Sequence, residues 1–111
     1  MTEHQIQVML FKWFKLQYPK LIMFAIPNAA KRSFAQANYM KAEGLIAGVS
    51  DIFLMCPKGG WHGLFIELKS EKGKLQPNQV EFMGRATLLG YMSVVCYGFE
   101  EAKDLITEYL Q

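Results

Sequence analysis

The sequence contains few cysteines, no long hydrophobic run and no strong excess of either charge. Its two cysteines, Cys56 and Cys96, lie in separate apolar runs without a C-x-x-C pair. This placement favours buried free thiols in a reducing cytosol over a disulfide or a metal site. No stretch reaches the roughly 20 apolar residues that a membrane-spanning helix needs. The first residues have neither the basic start nor the apolar run of a signal peptide. We therefore expect a cytoplasmic protein with no membrane span.

The length and the apolar content favour one folded domain. The chain has 111 residues, of which 51% are hydrophobic, so residues 1–111 have room for one core, and intrinsic disorder is disfavoured. A net charge of +2 neither requires nor opposes a nucleic-acid partner. Positive charge is concentrated in two loop-like stretches, at Lys31, Arg32, Lys69, Lys72 and Lys74. Alone, these charges would be ordinary solvated loop residues.

Hydrophobic periodicity and helix breakers predict the order helix, strand, helix, strand, strand, helix, strand, helix. The expected helices run from Thr2 to about Tyr18, from about Phe34 to Glu43, from Pro77 to about Gly90, and over 100–110, and the expected strands cover 21–26, 51–56, 63–69 and 91–97. The first strand is continuously apolar and is predicted to be buried. A central hairpin between helices predicts an α/β fold with a mixed sheet of about four strands, the fourth parallel to the third.

The triplet Glu-x-Lys occurs twice, as Glu67-Leu68-Lys69 and as Glu101-Ala102-Lys103. Chance alone gives roughly 0.4 copies in a chain of this length, so the bare triplet carries little information. Residues two apart on a helix point in different directions, whereas on a strand they share a face. Only Glu67 and Lys69, on a predicted strand with apolar residues on its other face, can form one site.

Asp51 begins the strand that precedes this triplet. In an antiparallel hairpin centred near Gly59 and Gly60 it lies almost opposite Glu67, and directly opposed residues have Cβ atoms about 5 Å apart. In an antiparallel hairpin the residue numbers of opposed residues add up to a constant, and this sum must be even if Asp51 is to face Glu67. A strict two-residue turn at Gly59 and Gly60 makes the sum odd. We therefore expect an odd-length loop or a bulge. Two carboxylates this close repel each other, and hard oxygen ligands suit Mg²⁺ or Mn²⁺. Lys69 beside them would orient the attacking water or stabilise charge developing on a phosphate.

Two further polar residues fall in line with apolar helix faces. Glu3 shares the predicted buried face of the first helix with Ile6 and Leu10, and acidic residues are rarely placed there without a partner. It is either a third acidic ligand or a first-turn charge that complements the helix dipole. Gln79 lies in line with Phe82 at the start of the third helix. It either reaches the site or is an ordinary polar residue of the first turn.

Other residue types that often carry chemistry have structural interpretations here. His4 and His62 lack metal-ligand spacing and are predicted to be non-catalytic. Gly44 and Gly48 lead into Asp51 as G-x-x-x-G-x-x-D. A phosphate-binding loop would need a Lys-Ser/Thr ending, which is missing, so we interpret the glycines as allowing tight turns before the strand.

The set Glu3, Gly44-x-x-x-Gly48-x-x-Asp51, Glu67-Leu68-Lys69 and Gln79, in this order and spacing, resembles the VRR-Nuc domain. This domain is the virus-type replication-repair nuclease branch of the PD-(D/E)xK superfamily. The resemblance covers essentially the whole chain, as in stand-alone phage and bacterial members. The chain departs from the pattern at Ser50, where the superfamily name has proline, at Gln76, where relatives often have Ser or Thr, and at Ala29-Ala30, where glycines are expected. These departures concern loop geometry and substrate fit.

The resemblance implies a restriction-endonuclease-like fold and a Mg²⁺- or Mn²⁺-dependent endonuclease acting on DNA, in some members on branched DNA such as Holliday junctions. It implies that Asp51, Glu67, Glu3 and the main-chain carbonyl of Leu68 are metal ligands. It further implies that Lys69 is the catalytic lysine and that Gln79 matches the glutamine of the family's helix.

DNA contacts are predicted in the two basic stretches, at Asn28, Lys31 and Arg32 after the first strand and at Lys72 and Lys74 after the third. A cut in both strands of a junction needs two active sites, and stand-alone relatives imply a symmetric pair, so we expect a homodimer.

Two alternatives to a metal-dependent nuclease acting on branched DNA remain. The first is a catalytically silent DNA-binding or assembly module, against which the intact Asp51, Glu67 and Lys69 argue. The second is a restriction-type enzyme, which is disfavoured because so short a chain leaves little surface to read bases.

Overall fold

A computed structural model describes residues 1–27 and 33–111 of the chain. Its elements are α1 (Glu3–Gln17), β1 (Ile22–Ala25), α2 (Phe34–Ala42), β2 (Ile52–Met55), β3 (Leu64–Lys69), α3 (Pro77–Leu88), β4 (Met92–Tyr97) and α4 (Phe99–Tyr109). The types and the order agree with the sequence prediction, and the boundaries differ by a few residues at most. None of the helices in this part of the chain has the length and hydropathy needed to cross a bilayer.

The strands form one mixed sheet in the order β1-β2-β3-β4. β1 pairs with β2 and β2 with β3 in antiparallel fashion, whereas β3 and β4 run parallel. The parallel pair follows from the crossover through α3, because a helix between two strands returns the chain to the same end of the sheet. The predicted α/β class and the mixed four-stranded sheet are thereby confirmed.

The core lies between the inner strands and the two terminal helices. Alternate residues of β2 and β3 are at most 1% exposed: Ile52, Leu54, Leu64, Ile66 and Leu68. They belong to one hydrophobic cluster with residues of α1 and α4, namely Ile6, Leu10, Phe14, Ala102, Ile106 and Tyr109. Burial of each such aliphatic side chain contributes roughly 1.5–3 kcal/mol. The opposite face of these strands carries Phe53 and Phe65, whose ring centroids lie 4.6 Å apart, and further along β3 it carries Glu67 and Lys69.

β1 is the element that differs most from its prediction. It was expected to be a buried strand, but it is an edge strand with Ile22 58% and Phe24 40% exposed. A short apolar run indicates a strand but does not say how many neighbours will cover it. Only β2 pairs with it, so one backbone edge of β1 carries no partner among the described strands.

The β2–β3 hairpin has the register that a shared acidic site requires. Leu54 pairs with Leu64, so the residue numbers of opposed residues in the strands have an even sum. Around the Gly59-Gly60 turn, Lys58 pairs with Trp61, which gives an odd sum. Three residues separate the two pairs on the β2 side and only two on the β3 side, so the expected bulge is confirmed. The glycine φ angles of 57° and 87° explain why that turn needs two glycines.

Both cysteines are free thiols, as predicted. Cys96 is buried on β4, whereas Cys56 is only half-buried after β2. Burial raises the pKa of the Cys96 thiol to about 12, so this residue behaves as a small apolar side chain of the core.

Candidate active site

Glu67 is a buried acid on the face of β3 that points away from the hydrophobic cluster. Its side chain is only 2% exposed. One carboxylate oxygen, Oε2, accepts a hydrogen bond of 3.2 Å from Nε2 of Gln79 and lies 3.8 Å from Nζ of Lys69. The other oxygen, Oε1, is buried and has no hydrogen-bond partner among residues 1–27 and 33–111. A buried acceptor without a partner is costly, so this oxygen is the feature of the site that most needs an explanation.

Asp51 is held beside Glu67 by the backbone of β3. The β2–β3 register, extended by one residue beyond Ile52, places Asp51 opposite Glu67. Oδ2 of Asp51 accepts a 2.8 Å hydrogen bond from the N–H of Leu68, and the carbonyl of Asp51 accepts one of 2.8 Å from Ile26. In an extended strand the N–H and C=O of one residue point to the same side. The carbonyl of Leu68 therefore faces the same edge as the Asp51 carboxylate.

The surroundings of Glu67 strongly raise its pKa. The pKa of Glu67 is raised from 4.5 to about 8, first by burial and then by the neighbouring carboxyl of Asp51. Asp51 can accept a hydrogen bond only from protonated Glu67, so Oε1 lacks a partner among the described residues in the ionised form, which the negative charge of Asp51 also repels. Lys69 acts in the opposite direction, and the charge of Glu3 adds to the increase. Glu67 therefore binds a proton at neutral pH unless a cation takes that proton's place.

Lys69 lies on the same strand face, two residues after Glu67, and is 8% exposed. A turn directly after β3 covers its aliphatic stem. A Cβ added at Gly73 would lie 3.1 Å from Cβ and Cδ of Lys69, and the N–H of Gly73 donates to the carbonyl of Ser70 at 2.9 Å. Sequence reasoning missed Gly73, whose only signal is a glycine four residues after the lysine. The packing limits where the ammonium group can go.

Gln79 reaches the site from the first turn of α3 and is 8% exposed. Its Oε1 accepts a 2.8 Å hydrogen bond from the N–H of Gln76, the residue that precedes the helix. Because this bond occupies the oxygen, the amide nitrogen is turned toward Glu67. Of the two possibilities left open for Gln79, the contact with Glu67 agrees with the first, and the buried side chain is not an ordinary polar residue of the first turn.

Glu3 is not buried, contrary to its spacing with Ile6 and Leu10. Residues 1–5 are all exposed, and the buried residues of α1 are Ile6, Leu10 and Phe14. The apolar stripe continues to Glu3, but the first turn lies at the end of the helix, where no other described segment buries it. Within the described ranges, no group of three or more His, Cys, Asp or Glu residues is arranged to hold a metal ion. The structure thus brings together Asp51, Glu67, Lys69 and Gln79 and leaves Glu3 at the periphery.

The residues predicted to contact DNA form two groups along the sequence. Lys72 and Lys74 are exposed between β3 and α3, shortly after Lys69. Asn28, Lys31 and Arg32 fall outside the residues that the structure describes. His4 and His62 are both exposed, so neither joins the acidic pair.

The mixed sheet thus places Asp51, directly before β2, opposite the Glu67-Leu68-Lys69 triplet on β3. A family model described as the VRR-NUC domain matches residues 1–100. The chain therefore belongs to the VRR-NUC domain family.

Solved structures give the same result. One, titled "VRR_NUC domain protein", has a TM-score of 0.85 and 27% sequence identity over 99% of this chain and 88% of its own. Another, titled "VRR_NUC domain", has a TM-score of 0.66 and 21% identity over 98% of this chain and 99% of its own, and shows likeness of fold alone. No curated protein matches the sequence.

Proposed function

We propose that this chain is a Mg²⁺- or Mn²⁺-dependent DNA endonuclease whose active site consists of Asp51, Glu67, Lys69 and Gln79. The observation that carries the proposal is the buried Oε1 of Glu67, which lacks a hydrogen-bond partner among the described residues and belongs to an acid beside a second carboxylate. A fold that needs only a stable core gains nothing from such a pair, because both its burial and its repulsion are unfavourable.

The donor atoms fit a hard divalent cation. Asp51, Glu67 and the main-chain carbonyl of Leu68 would hold it, which makes an all-oxygen set of two carboxylates and one carbonyl. Mg²⁺ usually keeps several waters and needs few protein ligands, so a third carboxylate is not required. Glu3, whose charge already acts on Glu67, is proposed as a further ligand from the first turn of α1. When bound, the cation supplies Lewis-acid activation of water and neutralises charge on the leaving oxygen.

Each remaining side chain has a separate task in this proposal. Gln79 donates to Oε2 of Glu67 and thereby leaves Oε1 as the oxygen available to the cation. Lys69, with Nζ 3.8 Å from Oε2, places a positive charge where the attacking water and the phosphate meet. An ammonium group held in a water-poor site stabilises developing negative charge more strongly than it would in bulk water.

The proton on Glu67 must leave before the carboxylate can act as a ligand. Because the pKa of Glu67 is raised to about 8, cation and proton compete for the same group, and cation affinity rises with pH up to that value. We therefore expect the cleavage rate to rise with pH up to about 8.

The substrate proposed is the phosphate backbone of DNA. Lys72 and Lys74 extend the positive charge of Lys69 along the loop that follows β3, and Asn28, Lys31 and Arg32 are proposed as further backbone contacts. Such contacts position DNA without reading its sequence. Structure-specific cleavage of branched DNA, including Holliday junctions, is the form of the activity that we propose.

A junction cut on two strands requires two active sites, so we propose that the chain acts as a homodimer. Exposed large apolar side chains support an interface, among them Phe34 at 83% and Leu88 at 87%. Light scattering at micromolar concentration tests this part. A mass near the 12.7 kDa of one chain, unchanged when junction DNA is added, would contradict it.

One cleavage panel tests the activity. Linear duplex, single-stranded and four-way-junction DNA are incubated with the protein, with and without Mn²⁺ or Mg²⁺, and Asp51→Asn serves as the inactive comparison. We expect cation-dependent cleavage that is strongest on the junction and is lost in the variant. Binding of DNA without cleavage under every condition would instead identify a silent DNA-binding module.

A further inference from the structure

The loop that leads into Asp51 lies in direct contact with α3 through a glycine. Gly48 has φ of 90°, and a Cβ added there would lie 2.5 Å from the carbonyl oxygen of Asn78 and 2.7 Å from its carbonyl carbon. Both are backbone atoms and cannot rotate away. The position therefore has no space for any side chain, for a reason separate from its backbone conformation.

This contact involves the turn of α3 that carries Gln79. Asn78 directly precedes Gln79. The side-chain amide of Gln79 accepts a 2.8 Å hydrogen bond from the N–H of Gln76 and donates one of 3.2 Å to Oε2 of Glu67. The first turn of α3 is thus held by the loop at Asn78 and by the acid at Gln79.

The other end of the loop carries the second acid. Three residues after Gly48, the carboxylate of Asp51 accepts its 2.8 Å hydrogen bond from Leu68. Ser50, between the two, is fully buried at 0% exposure. The loop therefore cannot move away from α3 without moving Asp51 or opening a buried contact.

We propose that Gly48 is a positioning residue, which sets the separation between Asp51 on the loop and Gln79 on α3 and so fixes Glu67 between them. The proposal rests on the proposed nuclease function only for its kinetic part. A Cβ at position 48 would lie 2.5 Å from the carbonyl oxygen of Asn78, whereas ordinary van der Waals contact begins near 3.4 Å. A methyl group there therefore forces the loop and the helix apart by close to the difference between these two distances. A misplacement of about 1 Å can lower a rate on the order of 10²-fold.

Gly44 offers a matched control in the same loop. Its φ is 106°, also in the left-handed region, but a Cβ added there meets nothing within 4 Å. Alanine at either position carries a similar backbone strain. Only alanine at position 48 adds the clash with Asn78.

The experiment compares Gly48→Ala with Gly44→Ala in the full chain. We expect both variants to lose Tm, and Gly48→Ala to lose more because it adds the clash with Asn78. Only Gly48→Ala should lower kcat for junction DNA, by about 10- to 100-fold, with KM changed less than about threefold. In ¹H–¹⁵N spectra only Gly48→Ala should shift the side-chain amide signals of Gln79. Equal kcat values and unchanged Gln79 signals in both variants would overturn the proposal.

Three measurements do not depend on cleavage. If the parent protein cleaves no DNA, the proposed function fails, but the Gln79 signals and the affinity for Mn²⁺ alone still compare the two variants. If Gly48→Ala does not fold, nuclear Overhauser contacts between Hα of Gly48 and the protons of Asn78 in the parent protein decide the question. Their absence would show that the loop does not rest on α3.

Discussion

The chain carries the Glu-x-Lys triplet twice, and the two copies have opposite surroundings. On β3, Glu67 is 2% exposed, and the Nζ of Lys69 lies 3.8 Å from its Oε2. On α4, Glu101 is exposed to solvent. Lys103 pairs there with Glu100 at 3.2 Å and not with Glu101.

The difference comes from the period of the backbone. On a strand, successive side chains alternate, so the outer residues of the triplet share one face while Leu68 enters the core on the other. On a helix, residues two apart point in different directions. Ala102 faces the core at 0% exposure, and its two charged neighbours diverge into solvent. The same three letters thus form a site in one element and an ordinary charged surface in the other.

The largest expected effect is on cleavage by matched changes of the two glutamates. Glu67→Gln removes a proposed ligand and should lower Mn²⁺-dependent cleavage on the order of 10³-fold, whereas Glu101→Gln should stay within about twofold because it contacts nothing at the site. Single-turnover assays on junction DNA measure both. Comparable rates for the two variants would remove the distinction between the copies.

The two lysines provide the next contrast. Lys69→Ala should lower cleavage on the order of 10²-fold because it removes the positive charge near the phosphate, and Lys103→Ala should leave the rate unchanged. Lysine supplies charge and not ligation, so Mn²⁺ binding should persist in both, as calorimetric titration would show. Loss of Mn²⁺ binding in Lys69→Ala would mean that the lysine maintains the geometry of the site.

Stability should depend on pH through one glutamate and not the other. The folded-state pKa of Glu67 is about 8 against an ordinary 4.5, so between these values the folded state binds more protons than the unfolded state. The free energy of unfolding of the metal-free protein should therefore fall as pH rises from 4.5 through 8.

Urea denaturation at several pH values, without metal, checks this dependence. Glu67→Gln should flatten the fall and Glu101→Gln should retain it. Added Mn²⁺ should stabilise the parent protein most at the alkaline end, since a bound cation offsets the charge that the lost proton leaves. A parent curve as flat as that of Glu67→Gln would contradict the assignment.

The smallest effect concerns the helical copy itself. Lys103 is 32% exposed and its partner Glu100 is 74% exposed, so solvent screens their attraction. Lys103→Ala should lower the free energy of unfolding by no more than about 0.5 kcal/mol. Urea denaturation in low and high salt measures it. A loss above about 2 kcal/mol would show that a surface ion pair of this kind holds α4 in place.

Much of the candidate site follows from periodicity alone. The alternation of side chains along β3 predicts that Glu67 and Lys69 share a face. If Asp51 is to face Glu67, the residue numbers of opposed residues must have an even sum, which predicts a bulge beside the two-residue glycine turn. The structure has that bulge between the Gly59-Gly60 turn and the paired strands. Both predictions depend on neighbours along the chain or across one hairpin, where the geometry is nearly invariant.

Predictions that depend on which distant segments of the chain bury a residue were less accurate. β1 was expected to be buried and is an edge strand, because an apolar run does not reveal what packs against it. Glu3 follows the apolar stripe of α1 but is exposed in a first turn that the rest of the described chain leaves uncovered. The orientation of Gln79 depends on a hydrogen bond to Gln76 and a contact across 12 residues to Glu67.

By itself, the sequence determined the order of the elements, the shared face of Glu67 and Lys69, and the need for an offset in the hairpin. These features arise from backbone periods of 2.0 and 3.6 residues, which act over a few positions. Only the tertiary structure decided that Gly48 rests on Asn78, that Gln79 donates to Glu67, and that Oε1 of Glu67 is buried without a partner in the described chain. Such contacts join segments far apart in sequence, and their geometry exists only once the sheet and α3 have packed together.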